Sequence, residues 1–283
     1  MERCRPLTIS DALGEMKSGD ATVFAGGTDL MVRKVWKNKC VFIGSIPELK
    51  TVRKTKSGME IGAAATITEL LENPIIPDFM KKVFEQMASP AIRNRATLGG
   101  NAGNASPAGD SLPMLYALRA GIVLADLDPA GQVFTRTLPI RDFITGVRKT
   151  VIRPEELIVR FLIPADSLGD QNLYYEKKVG ARRAEAISKL SFFGRVRRKD
   201  GKIEDFAAAF GAVGRTVVTN AEAEELIRGM TMDELSSNRE KIMTLYDDVI
   251  HPIDDQRSTA DYRKTVSMNL LRDFLDLVEK DNS

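Results

Sequence analysis

Two stretches of the chain hold residue types that could grip a ligand. Residues 97–110 carry Thr97, Gly99, Gly100, Asn101, Gly103, Asn104, Ser106, Gly109 and Asp110 between two apolar runs. Glycine lacks the Cβ that blocks close approach and tolerates positive φ, so successive amide N–H groups can face one anion. The hydroxyl, carboxamide and carboxylate groups among them suit phosphate and ribose. Residues 25–30 (Ala25, Gly26, Gly27, Thr28, Asp29 and Leu30) form a second such stretch after a short apolar run. Together they predict a long, phosphate-bearing ligand held from two sides. The composition of 97–110 predicts a loop rather than a helix.

Other chemistries lack their residues. No Gly-Lys-Ser/Thr follows either stretch, which removes support for a nucleotide-hydrolysing P-loop. Neither stretch is a Gly-x-Gly-x-x-Gly that opens a long helix inside a βαβ unit, so a Rossmann site is equally unsupported. His251 is the sole histidine, precedes Pro252 and has no acid–base partner pattern, which reads as structural. Without a Ser-His-Asp set or a metal-ligand cluster, hydrolase and metalloenzyme readings fall away. Any chemistry must come from a cofactor. Asp29 and Asp110 could bind ribose hydroxyls or cap helices. Lys178, in the basic run 177–183, reads from spacing alone as exposed surface.

The whole chain sets further bounds. Its 283 residues allow two or three domains with a sizeable core. A net charge of +2 argues against a strongly electrostatic nucleic-acid or membrane binder. Cys4 and Cys40 are the only cysteines, which excludes a disulfide scaffold and an iron–sulfur cluster held by four cysteines of this chain. Residues 1–6 lack the apolar core of a signal peptide, and no apolar run approaches spanning length, so a cytoplasmic protein is expected.

The elements that must position the two stretches follow from periodicity and punctuation. A helix is expected from Ile9 to about Gly19, then short strands at 21–24 and 40–43. A hairpin is expected at 52–63 around Ser57 and Gly58. Thr66 with Glu69 predicts a capping box, and 78–88 a helix with Phe79, Val83, Phe84 and Met87 on one face. Residues 112–118 read as a buried helix, 122–135 as a hairpin, and 157–163 as a strand stopped by Pro164. Beyond it lie a long hairpin over 190–213, a helix capped by Thr219 and Glu222, and an amphipathic helix over 258–279. The cations at 195–199 read as a solvated hairpin end. Strands followed by helices give an α+β class.

Residues 25–30 and 97–110 closely resemble the corresponding motifs in the FAD-binding (medium) subunits of the molybdenum hydroxylases. These are the flavoprotein subunits of the xanthine, carbon monoxide and nicotinate dehydrogenase types. The resemblance runs nearly end to end, through 90–94, 178–183, 186–188, 211–213, 255–257, Tyr262 and Arg263. It implies a vanillyl-alcohol-oxidase-type (PCMH-type) FAD-binding domain over 1–165, in two subdomains that divide near 50–60. A C-terminal α+β domain with a three-stranded antiparallel sheet would follow over 170–283.

The resemblance also implies roles for residues. Ala25, Gly26, Gly27, Thr28, Asp29 and Leu30 would wrap the FAD pyrophosphate. Thr97, Gly99, Gly100, Asn101 and Asn104 would continue the cradle, Asp110 would hold a polar part of the cofactor, and Ile158 would pack on it. Lys178 matches a lysine close to the flavin, which reverses its reading as surface. Gly103 and Asn104 stand where relatives often carry larger or different residues. The implied partners are an iron–sulfur subunit with two 2Fe-2S clusters and a molybdenum-cofactor subunit, with NAD⁺ or another molecule as acceptor. The alternatives are a self-contained FAD-dependent oxidase or dehydrogenase with its own small organic substrate, and a scaffold that has kept only the fold.

Overall fold

A computed structural model describes residues 2–182 and 184–281. Three short strands begin it: β1 (Glu2–Cys4), β2 (Ala21–Phe24) and β3 (Lys39–Phe42). They form a parallel sheet in the order β1-β3-β2, with Ala21 opposite Lys39 and Phe24 opposite Phe42. Parallel neighbours need crossovers. One contains α1 (Ile9–Met16), whose start is fixed by Thr8 accepting from the Asp11 amide, and which buries Ala12, Leu13 and Met16. The other contains residues 25–30 and a single turn, α2 (Leu30–Arg33).

A five-stranded antiparallel sheet comes next, in the order β4-β5-β10-β6-β7. Its strands are β4 (Val52–Thr55), β5 (Gly58–Gly62), β6 (Gly121–Leu127), β7 (Val133–Pro139) and β10 (Leu157–Pro164). Between β7 and β10 lie α8 (Ile140–Phe143) and the small ladder of β8 (Ile144–Gly146) with β9 (Lys149–Thr150). Both faces of the large sheet are covered. Ile61, Ile122, Leu124 and Phe161 face a core with the helices, whereas Val123, Ala125, Leu157 and Val159 share a second core with α1 and the parallel sheet. Strand β10 serves both by changing parity: its register against β6 shifts between Ile158 and Arg160. Such a bulge inserts one residue and turns later side chains to the opposite face.

The helical layer is α3 (Ile67–Glu72), α4 (Asp78–Glu85), α5 (Pro90–Arg93), α6 (Leu98–Asn104) and α7 (Ser111–Ala117). Thr66 and Glu69 form the expected capping box. The expected loop at 97–110 is half helix. Thr97 caps α6 by accepting from Gly100 N, and Ala105 at φ 46 ends it. A supplied cap and flanking packing outweigh the poor helix propensity of three glycines.

The last third has an antiparallel sheet, β11 (Asn172–Val179), β12 (Leu190–Lys199) and β13 (Lys202–Gly211), in that order. Its outer face packs on α9 (Ala221–Ile227), α10 (Met232–Ser237), α11 (Arg239–Val249) and α12 (Ala260–Lys280) around Phe192, Phe206, Phe210, Tyr246 and Phe274. The cap of α9 is Asn220, which accepts from Ala223 N; the expected Thr219–Glu222 box does not form. Asparagine one residue later also reaches a neighbour, donating to Leu245 O at 2.7 Å, so it holds two elements at once. No helix among the described residues is long and apolar enough to cross a membrane.

The inner face of this sheet meets α7, all of whose side chains are buried. Here the expectation of a solvated cation cluster fails. The hairpin does turn at 199–202, but Arg195 is 0% exposed. It donates to Ala117 O at 3.0 Å and Asn172 Oδ1 at 3.1 Å, and pairs with Asp205, which also pairs with Arg119. Alternation along β12 puts Arg195 on the same face as Phe193, and that face looks inward. Burial alone would raise the Asp205 carboxyl, but the Arg195 and Arg119 charges outweigh it and hold it below the ordinary range.

A carboxyl held low in the folded state stabilises fully above its unfolded pKa of about 3.9 and loses that contribution as pH falls below it. Asp205→Asn should therefore lose about 3–5 kcal/mol at neutral pH, since it leaves Arg195 buried without its anion. In urea unfolding, the gap from wild type should narrow as pH drops below 4. A gap unchanged down to pH 3 would show that this pair does not set the acid limit.

Candidate functional site

The two glycine stretches open on one cavity of about 1010 Å³. Ala25, Gly26, Gly27, Thr28, Asp29, Leu30, Thr97, Gly99, Gly100, Asn101, Asn104, Asp110 and Ile158 all line it. This volume lies at the upper end of small-molecule sites, large enough for a dinucleotide.

Close approaches hold each stretch in place, and one of them sets the first stretch against the residue that leads into the second. Gly26 sits against the carbonyl of Arg95, where a Cβ would lie 1.8 Å from the oxygen. Gly27 has φ +74 with the Phe24 ring against it. Gly99 donates to Ala63 O at 2.8 Å, and a Cβ there would meet that same oxygen at 2.6 Å. These glycines are therefore required by close approach within the chain, before any ligand is considered.

What that geometry leaves over is a row of donors. The amides of Gly26, Gly27, Thr28, Asp29 and Leu30 find no acceptor among the described residues, while Met31 N resumes helical bonding to Gly27 O. Successive free amides at a glycine turn are a fit for a pyrophosphate. Across the cavity, Asn101 accepts from Ser111 Oγ at 2.7 Å, which leaves its carboxamide NH2 to donate. Farther along, Gly103 faces Ile158: a Cβ there would stand 3.3 Å from Ile158 Cδ1, so glycine keeps this wall flat. The bulge in β10 begins at Ile158. A site with anion donors at one end and a flat apolar wall at the other fits FAD.

Charged side chains brace the walls rather than fill the space. Arg148 Nη1 donates to Asn104 Oδ1 at 2.7 Å and to Asp29 Oδ2 at 3.2 Å, and so joins the two stretches. Neither Asp29 nor Asp110 caps its helix with its side chain. Asp110 instead accepts from Lys178 Nζ at 2.8 Å and from buried Ser188 Oγ. Lys178 is neither surface nor cavity wall. Its ammonium donates to Asp110 and to Gln86 O, the latter at 2.7 Å.

On the far rim, Asp255 accepts from Arg263 Nη2 at 2.6 Å and pairs with Arg257, and Arg263 also donates to Ala212 O. The Arg263 hydrogen bond above all holds the Asp255 carboxyl well below the usual range. Glu156 is pushed up by burial, but the Arg136 pair and the Arg153 amide bring it below its ordinary value.

Sequence reasoning missed Arg148, which lies 119 positions from Asp29 and belongs to no motif. It quoted Ser188 only as part of a resemblance. His251, read as structural, is exposed and lines the rim. Among the described residues no group of His, Cys, Asp and Glu could hold a metal ion.

Comparison with known proteins agrees with this geometry. The family model for the FAD-binding domain in molybdopterin dehydrogenase matches residues 1–166, and that for the CO dehydrogenase flavoprotein C-terminal domain matches 175–278. The nicotinate dehydrogenase FAD-subunit of Eubacterium barkeri is 27% identical over 97% of this chain and 96% of its own. The carbon monoxide dehydrogenase medium chain of Hydrogenophaga pseudoflava is 26% identical, covering 94% and 93%. The chain also aligns with 17% of the much longer xanthine dehydrogenase/oxidase of Gallus gallus, at 28% identity.

Among solved structures, the Cu,Mo-CO dehydrogenase superposes with a TM-score of 0.86 at 25% identity over 96% of this chain and 95% of that one. Quinoline 2-oxidoreductase of Pseudomonas putida 86 shares the fold, with a TM-score of 0.85 at 20% identity over 99% and 97%. Fold and site thus define an FAD-binding oxidoreductase of α+β class. The chain belongs to the FAD-binding subunits of the molybdenum hydroxylases.

Gly26→Ala tests the cavity. The added methyl must displace the Arg95 carbonyl and with it the start of α6. The purified variant should carry little flavin by the ratio of flavin to protein absorbance while keeping its far-ultraviolet circular dichroism. Full flavin content would show that the close approach at Gly26 is dispensable.

Proposed function

We infer that the chain is the electron-transfer flavoprotein of a heteromeric molybdenum hydroxylase in the cytoplasm. It would take electrons from 2Fe-2S clusters on a partner subunit, which a molybdenum-cofactor subunit supplies by oxidising substrate, and pass them to NAD⁺ or another acceptor. Residues 1–165 would carry the cofactor and 170–283 would close the cavity over it. The observation that carries this reading is the row of free amides at 26–30, facing the same cavity as the flat Gly103–Ile158 wall. Two cysteines in these 283 residues cannot hold a four-cysteine cluster, which fits a reading in which the clusters lie elsewhere. Bound FAD would supply the chemistry, since a flavin takes electrons singly and releases them in pairs.

The protein's own contribution is placement. The amides of Gly26, Gly27, Thr28, Asp29 and Leu30 would hold the pyrophosphate, with the Thr28 hydroxyl as a further donor. Thr97 fixes Gly100 and Asn101 at the first turn of α6, whose amides are already met by Thr97, Ala63 and Ala65, so this stretch would offer the Asn101 carboxamide as its donor. Ile158, with Gly103 opposite, would exclude water from the ring. Asp110 would accept from a polar edge of the cofactor. Lys178 would act through Asp110, which it holds at 2.8 Å, because it does not itself line the cavity. Arg148 would keep Asp29 and Asn104 from collapsing into the space.

The test is an absorbance spectrum of the purified chain, followed by anaerobic titration with NADH. Flavin bands that bleach support both the cofactor and the nicotinamide acceptor. Bands that persist under NADH move the acceptor to another class, such as a ferredoxin or quinone. A chain that takes up no flavin after incubation with FAD defeats the reading.

A further inference from the structure

The apolar surface is distributed unevenly. Residues 31–38 are all exposed, and they include Met31 at 55%, Val32 at 80%, Val35 at 63% and Trp36 at 37%. Helix α2 has no buried residue. Its fold is held by backbone bonds alone: Met31 N to Gly27 O, Arg33 N to Asp29 O, and Lys34 N to Leu30 O at 2.8 Å, with Lys34 at φ 53. Elsewhere large exposed apolar residues come singly or in pairs. Four within six positions, set on an element with no core of its own, mark an interaction surface.

Charge narrows the occupant. Arg33 and Lys34 lie among these apolar side chains with no carboxylate within reach among the described residues, and Lys37 donates its ammonium to the Gly19 carbonyl and its amide to Thr22 Oγ1. The segment is also continuous with the cavity, since Leu30, Arg33 and Lys37 line it. We propose that residues 31–37 are the docking surface for an acidic protein partner that exchanges electrons with the cofactor, Val32, Val35 and Trp36 forming the dry centre and Arg33 and Lys34 the cationic rim. This rests on the electron-transfer reading above. Apolar anchors ringed by charges are how specific interfaces divide affinity from steering. An interfacial membrane helix would instead need several turns with one apolar face, and α2 is a single turn.

The test uses the full chain with its co-expressed iron–sulfur subunit and the variants Val32→Glu, Val35→Glu and Lys34→Glu, none of which lines the cavity. Each should carry wild-type flavin content. Binding to the iron–sulfur subunit should weaken about tenfold or more for the two valine variants. For Lys34→Glu the loss should be largest at low salt and should shrink as salt is raised. Unchanged affinity in all three overturns the proposal. Trp36 is the only tryptophan, so its emission reports two rival occupants directly. A blue shift on adding phosphatidylserine vesicles, which Val32→Glu abolishes while partner binding stays intact, overturns it in favour of a membrane. A wild-type dimer in sedimentation that Val32→Glu dissociates, again with partner binding intact, overturns it in favour of a second copy. A flavin-loaded chain that binds no iron–sulfur subunit overturns this proposal alone; a chain without flavin overturns the electron-transfer reading as well.

Discussion

The structure depends on one close contact, that of the Gly26 backbone with the carbonyl of Arg95. The first glycine turn leaves the parallel sheet; Arg95 leads into α6 on the far side of the antiparallel sheet. No side chain fits between them. Because the backbones touch, the free amides at 26–30 and the capped start of α6 line one space. Gly99 against Ala63 repeats the device one layer deeper, pinning α6 to the end of β5. Remove either approach and the two cavity-lining segments part.

The second constraint is electrostatic and lies where the C-terminal sheet meets α7. Arg195 is buried among a backbone carbonyl, an asparagine and an aspartate that also holds Arg119. Desolvating a guanidinium is costly unless every donor is met, so this network tolerates one arrangement of sheet on helix. That arrangement matters to the cavity, because α7 begins at Asp110 and β11 carries Lys178. The pairing of those two residues is thus a second bond across the same seam, made at the rim of the site.

Sequence patterns carried different features with unequal force. The glycine stretches were legible as segments that need close backbone approach, and the structure places both on one cavity. The hairpin of β12 with β13 and the long terminal helix were legible from alternation and from the 3.6 period, whereas the third strand, β11, came only with the family resemblance. Helix α6 was not, since propensity argues against it and only tertiary contacts at Gly99 and Leu98 make it form. Arg195 was misread for a related reason: four cations near a hairpin end look solvated until strand parity assigns one of them inward. Arg148 left no local trace at all. Its role exists only once Asp29 and Asn104, far apart in the chain, have been brought together.

The parity change in β10 has a further consequence. Leu157 and Val159 belong to the core beneath the parallel sheet, whereas Phe161 and Ile163 belong to the core beneath the helices. The switch falls beside Ile158, the residue that forms the cavity wall. One strand therefore packs into both cores at the point where it lines the cavity, so a substitution in either core bears on the position of Ile158.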